Sequence, residues 1–354
     1  MLDHSDTFIV INPIVWRTKF NIMLGGEFEI DLNTQRDTFQ PAPGTYYYAS
    51  GRAALYQILN SHEKKVNKVW FPDWLCHTMV EAAKQAGFDY TFYALDSAFQ
   101  ASLSALDASG FMDGDLVLLI NYFGLQDLTE TAKTIKDAYP KSIVIEDDVQ
   151  AYYSFAETEN PYADYRFTSL RKTFAIPDGG LVYTKHPMPM ATQPNTFAKY
   201  KIEGGVMKLH RGEQGIKDED YLALFEKGSA LIDDNYESMM SHDAEMLFAG
   251  TDFQWVKEKR QENTSYLIEG LKSLGIKPLL NIPQDGVPLF VPIWLEDRNA
   301  VRRRMFQHEV FCPIHWPFED ISLKKGAEMA QHELSLIVDQ RYTINDMDLI
   351  LSLL

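Results

Sequence analysis

The sequence is short of cysteine, of positive charge and of long apolar runs. Only Cys76 and Cys312 occur in 354 residues. Two thiols exclude a disulfide framework and a thiolate-rich metal site. Lys and Arg number 33 against 50 Asp and Glu, a formal net charge of −17. Nucleic acids and anionic membranes both select clustered positive charge, so neither is an expected partner. No apolar run approaches the length of a membrane span. The start, Met1-Leu2-Asp3-His4-Ser5-Asp6, lacks the basic residues of a secretory signal. The expected location is the cytoplasm. The nine histidines contain no close pair at metal-ligand spacing, and no nucleophile elbow, Walker loop, zinc signature or Gly-x-Gly-x-x-Gly occurs. No metal site is expected, and there is no internal repeat or low-complexity segment.

What is present is a globular composition, 45% hydrophobic and 13% aromatic, enough for a substantial core. After an irregular start with turns at Gly25-Gly26 and Pro41-Ala42-Pro43-Gly44, apolar runs alternate with helical periodicity. The pattern predicts helices over 51–60, 73–85 and 128–138, and strands over 66–71, 90–94, 116–120, 143–145 and 181–183. Residues 190–250 read as less regular. Beyond them come a long helix over 254–274, a strand over 287–295 and helices over 298–308 and 345–354. Short apolar strands spaced by helices predict an α/β fold built on a mainly parallel sheet, with a smaller second domain. The expected division is an irregular segment 1–44, a large domain 45–244 and a small domain 245–354. In such sheets ligands bind beyond the carboxyl ends of the strands.

Three segments carry chemistry. Ser50-Gly51-Arg52-Ala53-Ala54-Leu55 places a hydroxyl and a glycine at a helix entry, where free N–H groups and the helix dipole hold a phosphate. A plain N-cap serine would look the same. Ile145-Glu146-Asp147-Asp148-Val149-Gln150 ends an apolar strand with three acids, which are costly to bury without a cation. Strand alternation puts Asp147 and Asp148 on opposite faces and leaves open which of them meets a ligand. Lys172 lies in Ser169-Leu170-Arg171-Lys172, ahead of a Pro177-Asp178-Gly179-Gly180 turn. Burial or the neighbouring Arg171 would lower its pKa and make it a nucleophile suited to an imine with an aldehyde cofactor. Arg171 itself could also bind phosphate.

In this order, the segments resemble fold-type-I pyridoxal-phosphate enzymes, and most of all the DegT/DnrJ/EryC1/StrS sugar aminotransferases. Ser50 to Leu55 is similar to that family's Ser-Gly-Thr-Ala-Ala-Leu phosphate loop. Phe71-Pro72 followed by a helix ending at Ala86-Gly87 is similar to its second strand–helix unit. Asn121-Tyr122-Phe123-Gly124 resembles His-Leu-Tyr-Gly, Ile145 to Ala151 resembles Ile-Glu-Asp-Ala-Ala-Gln-Ala, and Lys172 with Asp178-Gly179-Gly180 resembles the cofactor lysine and its Asp-Gly-Gly. The likeness covers residues 45–185 well and the rest loosely. It implies a three-layer α/β/α fold of the aspartate-aminotransferase kind with a smaller C-terminal α+β domain.

The resemblance also implies pyridoxal 5'-phosphate as cofactor, held by Lys172. Asp147 matches the aspartate at the pyridine nitrogen and Gln150 the residue near the ring hydroxyl. Ser50, Gly51 and Arg52 match phosphate contacts, with Ser169 as a further one. The family often places an aromatic over the cofactor ring where this chain has Cys76, so Cys76 or the nearby Trp74 is expected to face it. The family's segment that reaches into a partner subunit has no clean copy here, and Asp234-Asn235-Tyr236 to Met239 comes nearest. The implied activity is amino transfer from an amino acid such as glutamate to a nucleotide-linked keto-sugar for surface polysaccharide, by a homodimer. Dehydration or acyl transfer on the same cofactor, or a non-catalytic regulatory role, are the alternatives. Arg302-Arg303-Arg304 reads as a solvated helix face, with a substrate-carboxylate site as the alternative, and His315-Trp316-Pro317 as a packed loop, with a place lining the cleft from the small domain as the alternative. The stretch 334–342 reads as a loop in which Arg341 could reach a donor carboxylate.

Overall fold

The computed structural model describes residues 23–34, 37–62, 68–213, 215–317 and 323–354. The opening hexapeptide and the first two residues of the strand expected over 66–71 lie outside the described residues. The strands, in chain order, are β1 (Leu24–Gly25), β2 (Thr45–Tyr48), β3 (Val69–Pro72), β4 (Tyr90–Tyr93), β5 (Leu116–Ile120), β6 (Ile143–Asp147), β7 (Tyr165–Ser169), β8 (Gly180–Thr184), β9 (Phe290–Trp294), β10 (Val310–Phe311) and β11 (Glu333–Ile337). Seven form one sheet in the order β2-β8-β7-β6-β5-β3-β4. Along this sheet β7, β6, β5, β3 and β4 pair in parallel, and only β8 runs against its neighbours. Every residue of β5 is buried, as expected of a strand covered on both faces. Helices lie on both faces, so the fold is the expected three-layer α/β/α.

A second group of elements surrounds β9 and β11, which pair antiparallel. Its apolar core includes Leu267 and Leu271 from the helix Phe253–Ser273, Val301 and Met305 from the helix Arg298–Gln307, and Met347 and Ile350 from the helix Ile344–Ser352. Leu24 joins this core, because β1 pairs with β10. The segment after β1 is fastened by two buried lysines, Lys201 on Glu27 at 2.7 Å and Lys208 on Glu29 at 2.8 Å. Among the described residues no helix is long and apolar enough to cross a membrane.

Besides short elements that were not expected, such as β2 and the helices Leu103–Ser109, Tyr152–Glu157 and Lys324–His332, the structure departs from the expected elements in four places. The helix expected over 73–85 begins at Thr78. Before it, Asp73 accepts hydrogen bonds from the Leu95 and Lys325 backbones, and Trp74 donates its indole N–H to the His315 carbonyl. These bonds hold 73–77 as an irregular shelf over the strand ends. The stretch 190–250 contains three helices, Ala198–Leu209, Asp218–Ala230 and His242–Ala249. Gly204 and Gly205 within the first of these serve close packing: a Cβ there would stand 2.9 Å from Phe225 and 2.7 Å from Ile30. Residues 334–337, expected within a loop, belong to the fully buried β11.

The fourth departure matters most. Strand β7, which delivers Lys172, is not among the expected strands, and Arg166 sits in its middle. Arg166 is 3% exposed. It reaches back to the neighbouring strand and pairs with Glu146 at 3.2 Å and Asp148 at 2.8 Å, and it donates to the carbonyls of Ser154 and Thr158. Two of the three acids at the end of β6 are thereby consumed on one face. Removing the cation would leave two buried carboxylates unpaired, at a cost of about 3–5 kcal/mol. Arg166→Met is expected to lose stability on that scale in urea unfolding, and a change under about 0.5 kcal/mol, typical of a surface site, would show that the pair carries little.

Candidate active site

The sheet topology brings the ends of β6 and β7 and the start of the helix Gly51–Asn60 to one rim. Gly180 is required there. It pairs with Tyr48 and Ser169 across the sheet, and a Cβ on it would fall 2.1 Å from the Ser50 carbonyl oxygen. Gly51 is similarly closed in, with Ser169 and Val149 each 3.2 Å from where a Cβ would sit. Ser50 caps the helix in extended conformation, its hydroxyl oxygen accepting from the Ala53 N–H at 3.1 Å. Its own O–H remains free to donate.

A cleft of about 730 Å³, counting its open mouth, lies at this rim. Its walls include Ser50, Gly51, Arg52, Cys76, Asp147, Gln150, Ser169 and Lys172. Eight of the nine residues expected at the site are thus together. Trp74 is not. Its ring is 1% exposed, stacked on Tyr122 with centroids 4.6 Å apart, in the core beneath the shelf. Cys76 lines the wall with its Sγ 3.1 Å from the Thr78 hydroxyl. Trp316, expected in a packed loop, lines the cleft. The only sequence signal for it was its place beside His315 and Pro317 in an aromatic stretch.

Asp147 is buried at the end of β6. Oδ1 accepts from the Val149 N–H at 2.8 Å, and Oδ2, also buried, has no hydrogen-bond partner. Arg166 has taken its neighbours Glu146 and Asp148, so the choice left open by strand alternation falls on Asp147 as the acid that meets the cleft. Gln150 is oriented by accepting the Phe123 N–H at 3.0 Å. Arg52 pairs with Asp233 at 2.6 Å. Lys172 is exposed to the cleft yet enclosed by surrounding protein. No hydrogen bond or ion pair holds it among the described residues. Burial lowers its pKa, the charge of Arg171 lowers it further, and the charges of Cys76 and Glu27 oppose this while that of Arg52 adds to it. These are the conditions for a nucleophilic amine.

A second cavity opens on the other side of Lys172 and shares Arg171 and Lys172 with the first. Arg341, Arg302 and His315 also line it. Arg341 is spent on Asp339 at 2.9 Å and Glu29 at 3.3 Å, so the expected donor-carboxylate role does not suit it. Arg302 is half-buried and stacks over Phe306 at the cavity wall, while Arg303 and Arg304 are exposed as expected, Arg304 bonding the Leu353 and Leu354 carbonyls. His315 is buried, its Nδ1 2.8 Å from Ser335 Oγ, which donates to Glu333. Burial and then the Lys172 charge push its pKa down to about 3, so it is neutral. The segment at Asn235 is turned inward, Asn235 bonding Thr196 and the Leu231 carbonyl.

Against solved structures the whole chain finds counterparts. Spr1654 from Streptococcus pneumoniae, in its PLP-form, aligns with 94% of this chain and 97% of its own at TM-score 0.67 and 13% identity. The sugar aminotransferase CalS13 from Micromonospora echinospora aligns with 88% of this chain and 86% of its own at TM-score 0.60 and 12% identity. The chain has an aminotransferase fold. A DegT DnrJ EryC1 StrS aminotransferase from Brucella abortus adds to this, at TM-score 0.58 and 14% identity over 87% of this chain and 84% of its own. No protein-family model matches the sequence, and no curated protein matches it either.

On this aminotransferase fold, the residues of the cleft fit pyridoxal phosphate. A helix start with a free hydroxyl suits the phosphate, an orphaned buried carboxylate oxygen suits a protonated pyridine nitrogen, and an unbonded lysine of lowered pKa suits the aldehyde. Burial pushes the Asp147 carboxyl up to about 7, while the Val149 N–H and the Lys172 charge pull it down. A carboxyl raised above its unfolded value contributes stability that is complete at low pH and lost as pH rises through the folded value. Cofactor-free protein is therefore expected to lose thermal stability as pH climbs through about 7. Asp178, also raised to about 7 by burial, contributes to the same loss. Asp147→Asn should remove its share and flatten the profile, and an unaltered slope in thermal melts would contradict the assignment.

Proposed function

We propose that this chain is a pyridoxal-phosphate-dependent sugar aminotransferase of the DegT/DnrJ/EryC1/StrS kind. It would move an amino group from an amino acid such as glutamate to a nucleotide-linked keto-sugar, in surface polysaccharide biosynthesis. The observation that carries the reading is the Asp147 carboxylate: buried, with one oxygen unpartnered, in a cleft that Lys172 and the Ser50 helix start also line. A carboxylate left so in a dry site is costly unless a cation completes it. The aminotransferase fold of the solved neighbours supports the same reading.

When bound, the cofactor supplies an aldehyde and an electron-accepting ring. The protein's residues do the remaining work. Ser50, Gly51 and Ser169 bind the phosphate at the helix start, and Arg52 stands beside them. Asp147 Oδ2 takes the ring N–H and keeps that nitrogen protonated, which stabilises charge flowing into the ring. Gln150, fixed by the Phe123 N–H, orients toward the ring's hydroxyl edge. Lys172 Nζ would hold the cofactor's aldehyde, and a freed Nζ would serve as general base and then acid for the proton of the substrate carbon. Cys76 and Trp316 close the cleft from the shelf and from the small-domain side. A cytoplasmic homodimer goes with this reading.

Lys172→Ala is expected to abolish the visible absorption band of lysine-bound cofactor and to reduce amino transfer by at least about a thousandfold, the scale of a lost general base. Transfer of label from ¹⁵N-glutamate to a panel of nucleotide-linked keto-sugars tests the substrate directly. Label appearing in a sugar supports the reading. Cofactor bound without any transfer, or dehydration of the sugar in its place, refutes it.

A further inference from the structure

The second cavity is charged in a way that the first does not explain. Its walls carry Arg171, Lys172, Arg260, Arg302 and Arg341 against Glu27 and Asp339, in a protein whose net charge is −17. Both carboxylates are already engaged, Glu27 by Lys201 at 2.7 Å and Asp339 by Arg341 at 2.9 Å. Arg260 gives its two terminal nitrogens to the carbonyls of Pro288, Leu289 and Thr173, and its Nε, like that of Arg171, is buried without a partner. Arg302 has one long bond to the Cys312 carbonyl and the face of Phe306. Among the described residues no hydrogen bond or ion pair reaches Arg171, and its Nε is buried without a partner. Burial lowers its pKa, which measures how poorly the protein alone accommodates the charge.

An enclosed guanidinium with five donors and no acceptor is unstable alone and is built for a planar anion. Arg171 directly precedes Lys172 on one short helix (Leu170–Thr173) and lines both cavities. The anion it awaits therefore lies beside the reacting lysine. The choice between carboxylate and phosphate follows from the walls. With Glu27 and Asp339 held by Lys201 and Arg341 and Arg260 turned to carbonyls, few donors besides Arg171 and Arg302 are left for the several oxygens of a phosphate, and Phe290, Phe306 and Phe311 make much of the lining apolar. A single carboxylate on a small body suits this; a phosphate dianion does not.

We propose that Arg171, with Arg302 across the cavity, is the substrate-carboxylate receptor of this protein. The inference rests on the proposed aminotransferase reading, since it places the carboxylate on a compound whose amine or carbonyl reaches Lys172. It moves the donor-carboxylate role from Arg341 to a residue adjacent to the catalytic lysine. His315, held neutral with Nδ1 on Ser335, lines the same cavity and leaves Nε2 as a polar contact for the body of the substrate.

The test is calorimetric titration of succinate, and separately of inorganic phosphate, into the full-length protein with and without pyridoxal phosphate. Wild type is expected to bind succinate more tightly than phosphate. Arg171→Met should weaken succinate at least about tenfold, the loss of a charge-assisted pair, while keeping the visible band of lysine-bound cofactor. Arg302→Met should weaken it several-fold. Arg171→Lys, which keeps the charge and so guards against misfolding, should also weaken it, because an ammonium lacks the planar fork. Unchanged succinate affinity in Arg171→Met and Arg171→Lys overturns the proposal. So does tighter binding of phosphate than succinate, or loss of the cofactor band in a folded Arg171→Met, which would make Arg171 a cofactor contact. Should wild type show no cofactor band yet bind succinate through Arg171, the cofactor reading fails and the carboxylate site stands.

Discussion

The site depends on one buried ion pair that never touches the cleft. Arg166 on β7 pairs with Glu146 and Asp148 on β6. Three consecutive acids at the end of an apolar strand would repel one another and pull the rim open. With the outer two neutralised on one face, alternation points the middle one, Asp147, to the other. The same arginine welds β7 to β6, and β7 runs directly into the turn that carries Lys172. One side chain thus fixes both the acid and the amine.

Around that weld, electrostatics and close backbone contact set the chemistry. Burial raises Asp147 toward neutrality and lowers Lys172. Both shifts mean that the surrounding protein holds these charges less comfortably than water would. A ligand carrying a ring cation and a carbonyl carbon would relieve both. Gly180 and Gly51 let the helix start approach within the distance of a missing side chain, so the phosphate end of such a ligand meets free N–H groups. Lys172 lines two cavities, one with Ser50, Asp147 and Gln150 and one with Arg171, Arg302 and His315. The proposed function would use them separately, one for the cofactor and one for the exchanging substrate.

Much of this was legible in the sequence, because the motifs that build the cleft are local. The Ser50-Gly51 helix entry, the acids ending β6 and the lysine before Asp178-Gly179-Gly180 each follow from short-range rules, and the alternation of elements gives the parallel sheet. What was not legible depends on pairing across distance. Arg166 reads as a surface residue until its two carboxylates are seen on the next strand. Trp74 and Trp316 cannot be told apart by composition; the hydrogen bond from Trp74 to the His315 carbonyl and its stacking on Tyr122 draw it into the core, and Trp316 takes the cleft. Gly204 and Gly205 show their packing role only once Phe225 and Ile30 are placed against them. Arg341 looked free, although its partner Asp339 stands only two residues before it; Glu29 is the partner that only the fold brings to it.

The central claim is that Lys172 is the residue that holds the cofactor. Borohydride reduction of the protein after incubation with pyridoxal phosphate, followed by peptide mass spectrometry, fixes the attachment point irreversibly. The account predicts the pyridoxyl mass on the peptide containing Lys172, in stoichiometric amount. Label on a different lysine, or none at all, would contradict it.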